Sequence, residues 1–176
     1  MARDPDRTRM ARRRIVQVLG AGAVLGTAGS PAVAATDGER TDDRRDGAGL
    51  ITVESDADFE TTVARVEPAL EERGLLLVTT VDHAANAATV GMDLPPTTLF
   101  LFGNPEAGTP LMQANRSIAI DLPQKLLVWE ADGNVFVTYN DPRYLARRHG
   151  VAGRDELLAN IDAALEDLAV AVARGE

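Results

Sequence analysis

Cysteine is absent from the 176-residue sequence. The chain therefore cannot form disulfide bonds, thiolate metal sites or a cysteine nucleophile, and it has no cysteine to carry a lipid anchor. Aromatic residues are also scarce, at 4% of the composition, and His83 and His149 are the only histidines. No G-x-S-x-G elbow, P-loop, dinucleotide glycine signature or H-E-x-x-H motif occurs. Motifs thus assign no enzyme class, and we expect no cofactor.

Lysine is nearly absent as well, because Lys125 stands against 17 arginines. From Leu50 onward the chain carries 20 acidic and 9 basic residues, which gives a net charge of -11. Such a field repels phosphate backbones, so nucleic acid is not an expected partner. The acidic residues are scattered and lack the clustering of cation sites. Strong acidity with little lysine is typical of proteins that stay hydrated in concentrated salt.

Residues 1–34 have the layout of a secretory signal peptide. Arg12 and Arg13 form a twin-arginine pair, an apolar segment runs from Ile15 to Ala28, and small residues follow at Ala32–Ala34. The twin arginines indicate the pathway that exports folded proteins, although Ala11 departs from the usual Ser or Thr. The apolar segment is shorter than the roughly 20 residues that span a bilayer. We expect an exported, extracytoplasmic protein with no transmembrane span in its mature form.

The rest of the chain divides into a polar linker at 35–49 and one domain at 50–176. The linker is rich in Asp, Arg and Gly and cannot bury enough apolar surface to fold, so it is predicted to be disordered. Hydrophobic periodicity in the domain predicts five strands and several helices. The strands are Leu50–Glu54, Leu75–Val81, Thr97–Phe102, Lys125–Glu130 and Val135–Tyr139.

Two longer helices and three short ones are predicted between and after the strands. The first long helix begins at Ser55, whose spacing to Asp58 resembles a capping box, and it is kinked by Pro68 at residues 64–68. The second runs from about Arg154 to Ala173 with one apolar stripe. The short helices are His83–Val90, Thr109–Gln113, with Thr109 as cap before Pro110, and Asp141–Arg148.

The Asp132-Gly133 pair predicts a tight hairpin between the last two strands. A two-residue turn there sets Trp129 opposite Phe136 and Leu127 opposite Thr138 on one face of the sheet. Leu126 then faces Tyr139, and Val128 faces Val137, on the other side. Strands that are apolar on both faces need cover on both faces.

These patterns predict an α+β fold in which a mainly antiparallel sheet of about five strands carries the two longer helices on one face. The other face would be covered by short helices or by a second copy of the chain. A homodimer is favoured, with Trp129, Phe136 and either Phe100 or Phe102 at its interface. The strand Leu75–Val81 is expected to be buried on both faces because its apolar run is nearly continuous.

Three stretches of sequence resemble the domain of unknown function 302 family. They are TTVDHAANAATVGMDLPPTTLFLFGNP at 79–105, FGNPEAGTPLMQ at 102–113, and DLPQKLLVWEADGNVFVTYNDPRYLARRHGV at 121–151. The resemblance covers Val53 to about Leu168 and is specific, because several motifs follow one another at suitable spacing. It implies a compact α+β fold similar to the helix-on-sheet folds grouped with the TATA-binding protein, and a tendency to pair.

The resemblance implies no chemistry, because it carries no established catalytic residues to this chain. The sequence departs from the family pattern at Pro68, within the first helix, and at Gln124, where a second apolar residue would be usual.

Candidate ligand-binding residues are therefore chosen from the residues themselves. The densest polar group combines residues that follow the last strand with Asp121, which precedes the hairpin. From it and the nearby turn we select Asn104, Asp121, Tyr139, Asn140 and His149.

Three functions remain open. The favoured one is a non-catalytic binding or interaction module, which uses the apolar sheet face or a cleft near Asn104 and Tyr139 to hold a small molecule or a second copy. The second is a small acid-base enzyme, a hydrolase or isomerase, in which His149 works with Asp141 or Asp121. The third is soft-metal binding by the two histidines with Met92 and Met112, although their spacing does not support it and we expect no metal.

Overall fold

The computed structural model describes residues 49–175. The predicted signal peptide and nearly all of the predicted linker lie outside these described residues. The strands are β1 Leu50–Glu54, β2 Leu76–Asp82, β3 Thr97–Gly103, β4 Gln124–Ala131 and β5 Asn134–Asn140. The helices are α1 Phe59–Ala64, α2 Val66–Glu72, α3 His83–Ala88, α4 Pro105–Ala114, α5 Pro142–Arg148 and α6 Asp155–Arg174, with a 3₁₀ helix at Arg116–Ile120.

The five strands form one antiparallel sheet in the order β1-β5-β4-β3-β2. Helices α1, α2 and α6 cover one face, where they enclose the main core. That core includes Val66 and Leu70 from α2, Leu168 and Val172 from α6, and alternate residues of the strands such as Val128. The predicted α+β architecture, with its longer helices on one face of an antiparallel sheet, is confirmed.

The hairpin also matches its prediction. Asp132 and Gly133 adopt left-handed φ angles of 52° and 79°, the backbone that a two-residue type I′ turn requires. Trp129 pairs with Phe136 and Leu127 with Thr138, as expected. The Trp129 and Phe136 rings lie 4.9 Å apart, and the Trp129 indole N–H donates to Thr138 Oγ1 at 2.9 Å. This pair occupies the face opposite the long helices and is half-buried.

The first long helix is interrupted at Arg65, within the predicted kink. Pro68 falls in the first turn of α2, where a missing backbone N–H leaves no helical hydrogen bond unmade. The predicted cap is wrong, because Asp58 caps α1 by accepting from the Thr61 N–H at 2.8 Å. Ser55 instead bonds Thr62 Oγ1 at 2.7 Å.

Strand β2 differs most from its prediction. It was expected to be covered on both faces, but Leu76 and Val78 are 61% and 62% exposed. The reason is topological: β2 is an edge strand with β3 as its neighbour, and a bulge between Leu77 and Thr79 shifts its register. A continuous apolar run is therefore compatible with an exposed edge.

Helix α4 begins earlier than predicted. Asn104 is its cap, accepting from the Glu106 N–H at 2.8 Å, and Pro105 occupies the first helical position. Asn followed by Pro is as good a helix start as the Thr109-Pro110 pair that the prediction chose. Pro110 consequently lies inside the helix.

A second, smaller core lies where α4, the 3₁₀ helix, α5 and α6 meet. Its buried residues are Leu111, Ile118, Leu145, Ala146, Val151 and Leu158. Helices α5 and α6 are confirmed within one residue of their predicted bounds. Across residues 49–175, no helix combines the length and the apolar character needed to cross a membrane.

Candidate functional site

A cavity of about 640 Å³ opens between the two cores. Phe102 and Leu165 from the main core and Leu111 from the smaller one contribute to its wall, and nearly all of the lining is apolar. The exposed part of β2 borders it through Leu76 and Val78. Cavities of this size and character are typical of sites for small molecules.

Gln124, at the start of β4, belongs to the wall of this site and carries an unpaired polar atom. Its side-chain oxygen Oε1 is buried, and among the described residues it has no hydrogen-bond partner. The residue is part of the cavity wall. A buried acceptor without a donor costs about 1–3 kcal/mol, so a ligand that donates a hydrogen bond here would recover that free energy.

Four other polar side chains line the cavity, those of Arg73, Asn104, Thr109 and Asn160. Asn104 is exposed and uses its side-chain oxygen to cap α4. The Arg73 guanidinium donates from Nε to Asp167 at 2.9 Å and from Nη1 to the Ala69 carbonyl at 3.0 Å. Gln124 differs from these residues in its buried, unpaired oxygen.

The predicted ligand residues do not form one site. Asn104 borders the cavity, whereas Tyr139 is 3% exposed within the main core. Asn140 is half-buried and opposite Leu50 at the β1–β5 edge of the sheet. Asp141 is buried and caps α5 by accepting from the Arg143 N–H at 2.7 Å. A cleft shared by Asn104 and Tyr139 is therefore not observed.

Asp121 and His149 do come together, in a second cluster. His149 Nε2 lies 2.6 Å from Asp121 Oδ2, and its other ring nitrogen, Nδ1, lies 2.9 Å from Ser117 Oγ. The His149 side chain is 8% exposed and that of Asp121 17%, whereas Ser117 is an exposed residue. Arg148 Nη1 adds a positive charge 3.4 Å from Asp121 Oδ2.

The backbone around this cluster is tied down by further hydrogen bonds. Asn115 Nδ2 donates to the His149 carbonyl at 2.6 Å, and Asn115 Oδ1 accepts from the Ser117 N–H at 3.0 Å. Lys125 Nζ donates to the Asp121 carbonyl at 2.8 Å. Burial lowers the pKa of Lys125 against the opposing effect of Asp121. The cluster therefore joins the 3₁₀ helix and the start of β4 to the end of α5.

The arrangement does not favour the soft-metal hypothesis. Both ring nitrogens of His149 have hydrogen-bond partners, and Met92 is 66% exposed on the β2–β3 connection while Met112 lines the cavity. Within residues 49–175 no three His, Cys, Asp or Glu side chains come close enough to hold a metal ion.

Of the predicted interface residues, Phe100 requires correction. It is 2% exposed on the helix-covered face, because its cross-strand partner Leu126 points into the main core. Phe102 lies on the same face and is also buried. Trp129 and Phe136 remain on the open face, half-buried against each other.

The sequence model of a protein family, the domain of unknown function DUF302, matches residues 51–168. The chain belongs to this family. A crystal structure of an uncharacterized conserved DUF302 protein from Bacillus stearothermophilus has the same fold, with a TM-score of 0.65, 20% sequence identity, and coverage of 72% of this chain and 98% of that one.

Curated relatives carry the matched segment within longer chains. This chain is 47% identical over 104 residues to fluoride-specific ion channel FluC 1 of Brucella suis biovar 1 and, over the same length, to FluC 1 of Brucella abortus biovar 1. The matches cover 58% of this chain but 41% and 38% of the two relatives. The chain thus spans about two fifths of the length of these relatives.

Sequence reasoning missed Gln124 and Ser117 as site residues. Gln124 did carry a signal, since it departs from the family pattern at a position that is usually apolar. Ser117 carried none, because its contact with His149 joins residues 32 positions apart in the chain.

Proposed function

We propose that this protein is an exported binding module that holds a small apolar molecule in the cavity between its two cores. The observation that carries the proposal is the combination of an apolar wall with the unpaired Gln124 Oε1. An apolar cavity alone could remain empty. A buried, unpaired acceptor on a residue of its wall identifies the side chain from which a ligand would gain a specific hydrogen bond.

The chemistry of the wall selects the ligand class. Gln124 Oε1 only accepts hydrogen bonds, so the ligand must present a donor such as a hydroxyl group. A carboxylate has no proton to donate there, and the acidic domain repels it. The expected ligand is therefore a neutral, largely aliphatic molecule with one hydroxyl group.

Displacement of a fluorescent naphthylamine probe tests this function. A medium-chain alcohol such as decanol should displace the probe, whereas decanoate and decane should do so at least about tenfold less well, because each lacks a donor for Gln124 at neutral pH. Equal displacement by all three compounds would contradict the proposed recognition by Gln124.

Two neighbouring alanines of α6 provide a matched pair of variants. Ala164 is exposed and lines the cavity, whereas Ala163 is exposed without lining it. Ala164→Phe should obstruct the cavity and weaken alcohol binding by about tenfold or more, and Ala163→Phe should leave binding within about twofold of the original chain. If both variants bound the alcohol equally well, the cavity would not be the binding site.

The family relatives suggest fluoride as a competing ligand, because two of them are described as fluoride-specific channels. We favour the apolar ligand since the cavity wall is apolar and the domain carries strong negative charge. Sodium fluoride at constant ionic strength should leave probe fluorescence unchanged. Saturable displacement by fluoride, but not by chloride, would favour an anion instead.

We also propose that the protein is a homodimer joined at the β2 edge. This edge has unpaired backbone groups and carries the exposed Leu76 and Val78, and residues 75–81 contain no charged side chain. Two acidic copies repel one another least along an uncharged segment, and antiparallel pairing of β2 with itself obeys a two-fold axis. The same contact would cover the β2 side of the cavity.

Light scattering after gel filtration tests the dimer. The original chain should have twice the monomer mass, and Val78→Asp should be monomeric because it places two like charges across the axis. Trp129→Asp, on the open sheet face, is the comparison variant. If Trp129→Asp gave a monomer and Val78→Asp did not, the interface would lie on the open sheet face instead of the β2 edge.

A second candidate function is favoured by one contact, the 2.6 Å approach of His149 Nε2 to Asp121 Oδ2. A carboxylate only accepts, so the neutral imidazole keeps its proton on Nε2 and leaves the lone pair of Nδ1 free to take a proton. This is the arrangement of a general base with an orienting carboxylate. The side chain of Asp141, the other predicted partner, instead caps α5.

A further inference from the structure

We propose that Ser117 is a nucleophile for acyl transfer, activated by His149 and oriented through Asp121. This inference rests on the second candidate function, because it needs His149 to act as a base. It is independent of the ligand cavity, whose wall does not include Ser117.

The hydrogen bonds set the direction of proton transfer. Asp121 accepts a hydrogen bond from the Nε2–H group, so Nδ1 of the neutral ring can only accept, and the serine hydroxyl donates in the 2.9 Å contact with Ser117. A serine hydroxyl that donates to an imidazole whose far side is held by a carboxylate has the three roles of a nucleophile, a base and an orienting group.

The base and its carboxylate are largely buried, whereas the proposed nucleophile is exposed. The His149 side chain is 8% exposed and that of Asp121 17%, so the base and its carboxylate are largely shielded from water. Ser117 is exposed on the 3₁₀ helix, where an acyl donor can approach from solvent. An enclosed binding pocket is not needed for a small ester, which is the substrate class this surface would accept.

The reaction balances without a cofactor. Ser117 Oγ attacks the ester carbonyl carbon and transfers its proton to His149 Nδ1. The bond from that carbon to the alcohol oxygen then breaks, and the leaving alkoxide takes the proton from Nδ1. Water, deprotonated by the same nitrogen, hydrolyses the acyl-serine to a carboxylic acid and restores the hydroxyl group.

Arg148 adds an electrostatic contribution. Its Nη1 lies 3.4 Å from Asp121 Oδ2, so a guanidinium that is 55% exposed stands beside the cluster. This ion pair helps to hold the Asp121 carboxylate beside the ring, on the side away from Ser117.

The absence of cysteine allows the base to be tested separately from acyl transfer. Ser117→Cys would be the single thiol of the full chain. If Nδ1 removes its proton, iodoacetamide at mildly acidic pH should label this thiol at least about tenfold faster than the thiol of Thr89→Cys, an exposed position on the cap of α3. Adding His149→Gln to Ser117→Cys should reduce labelling to the control rate. Equal labelling of the two single variants would overturn both the base and the nucleophile.

Acyl transfer is tested with p-nitrophenyl acetate on the full chain. One acetyl group should appear on Ser117 by peptide mapping, and Ser117→Ala or His149→Gln should lower nitrophenol release by about 10²-fold or more. Asp121→Asn should also lower it, because an amide can hold the wrong tautomer of the ring. His83→Gln, which changes the other histidine, should leave the rate unchanged.

The outcomes separate the two claims. Rapid labelling of the Ser117→Cys thiol without acetylation of Ser117 would overturn acyl transfer and retain the general base. Acetylation confined to Lys125 or the amino terminus would overturn it equally. Thermal unfolding of each variant shows whether it is folded, and Ser117→Ala, which removes one exposed hydroxyl group, keeps the test valid if His149→Gln does not fold.

Discussion

The two ends of the sheet contrast in how well they are covered. At the β1–β5–β4 end the helix-facing residues Leu126, Val128 and Val137 are all 0% exposed beneath α1, α2 and α6. At the β2 end, Leu76 and Val78 are more than half exposed, and a cavity separates the strand from α4 and α6. The difference teaches that the first end supplies stability, whereas the second retains the apolar surface and the unmade hydrogen bond that binding would use.

The largest expected effect compares a leucine from each end. Leu126→Ala should lower the free energy of unfolding by about 2–5 kcal/mol, because it leaves a void in a closely packed core. Leu76→Ala should change it by less than about 0.5 kcal/mol in the Val78→Asp chain, which should be monomeric, because the side chain is then 61% exposed. Urea denaturation of each variant against its own parent chain measures the contrast. Similar losses would show that the β2 end is covered within a single copy of the chain.

A smaller loss is expected from Gly49→Ala, at the covered end. Gly49 has a φ of +80°, and an added Cβ would collide with the Tyr144 ring. Gly150→Ala is the matched control, because its φ is +62° and the added methyl group would meet nothing. The control should cost about 1 kcal/mol from backbone strain alone, and Gly49→Ala should cost about 1–2 kcal/mol more than the control. Equal losses would mean that the Tyr144 contact is easily relieved.

A gain in stability is expected from Gln124→Leu, at the cavity end. Leucine has similar volume and removes the buried, unpaired oxygen, so the ligand-free protein should be stabilised by about 1 kcal/mol. The same change should weaken decanol binding by about tenfold. Calorimetric unfolding and probe displacement measure the two effects. A loss of stability would show that the amide already has a partner in solution.

The smallest effect concerns an exposed ion pair at the covered end. The Arg65 guanidinium donates to Asp56 at 2.9 Å and lowers the pKa of that carboxyl below its ordinary 3.8. Because the folded-state pKa is the lower one, the stabilisation is present above the ordinary value and disappears as the pH falls through the lowered one. Asp56→Asn should therefore melt slightly below the original chain at neutral pH, and the difference should vanish in strong acid. A difference that persisted there would have another cause.

Local patterns predicted most of the fold. The hairpin register followed from Asp132-Gly133 because the turn residues and the strand pattern select the same pairing. Helix α6 followed from its apolar stripe. The start of α4 did not, because both Asn104-Pro105 and Thr109-Pro110 are acceptable helix starts and the local pattern does not distinguish them.

The candidate sites were predicted less well, because they depend on contacts between distant segments. His149 was paired with two alternative carboxylates, and only the meeting of α5 with the 3₁₀ helix decided for Asp121. Tyr139 was placed in a ligand cleft on the basis of its polar neighbours in sequence, but its position in β5 turns it into the main core.

By itself the sequence determined the five strands, the hairpin register, the acidity of the domain and the exclusion of thiol chemistry, since these depend on composition and on neighbours a few residues apart. The tertiary structure alone decided that β2 is an edge, that Gln124 in the cavity wall has a buried Oε1 without a partner, and that Ser117 and Asp121 lie on either side of His149. Those features arise from strand order and helix packing, which bring together residues that no local pattern connects.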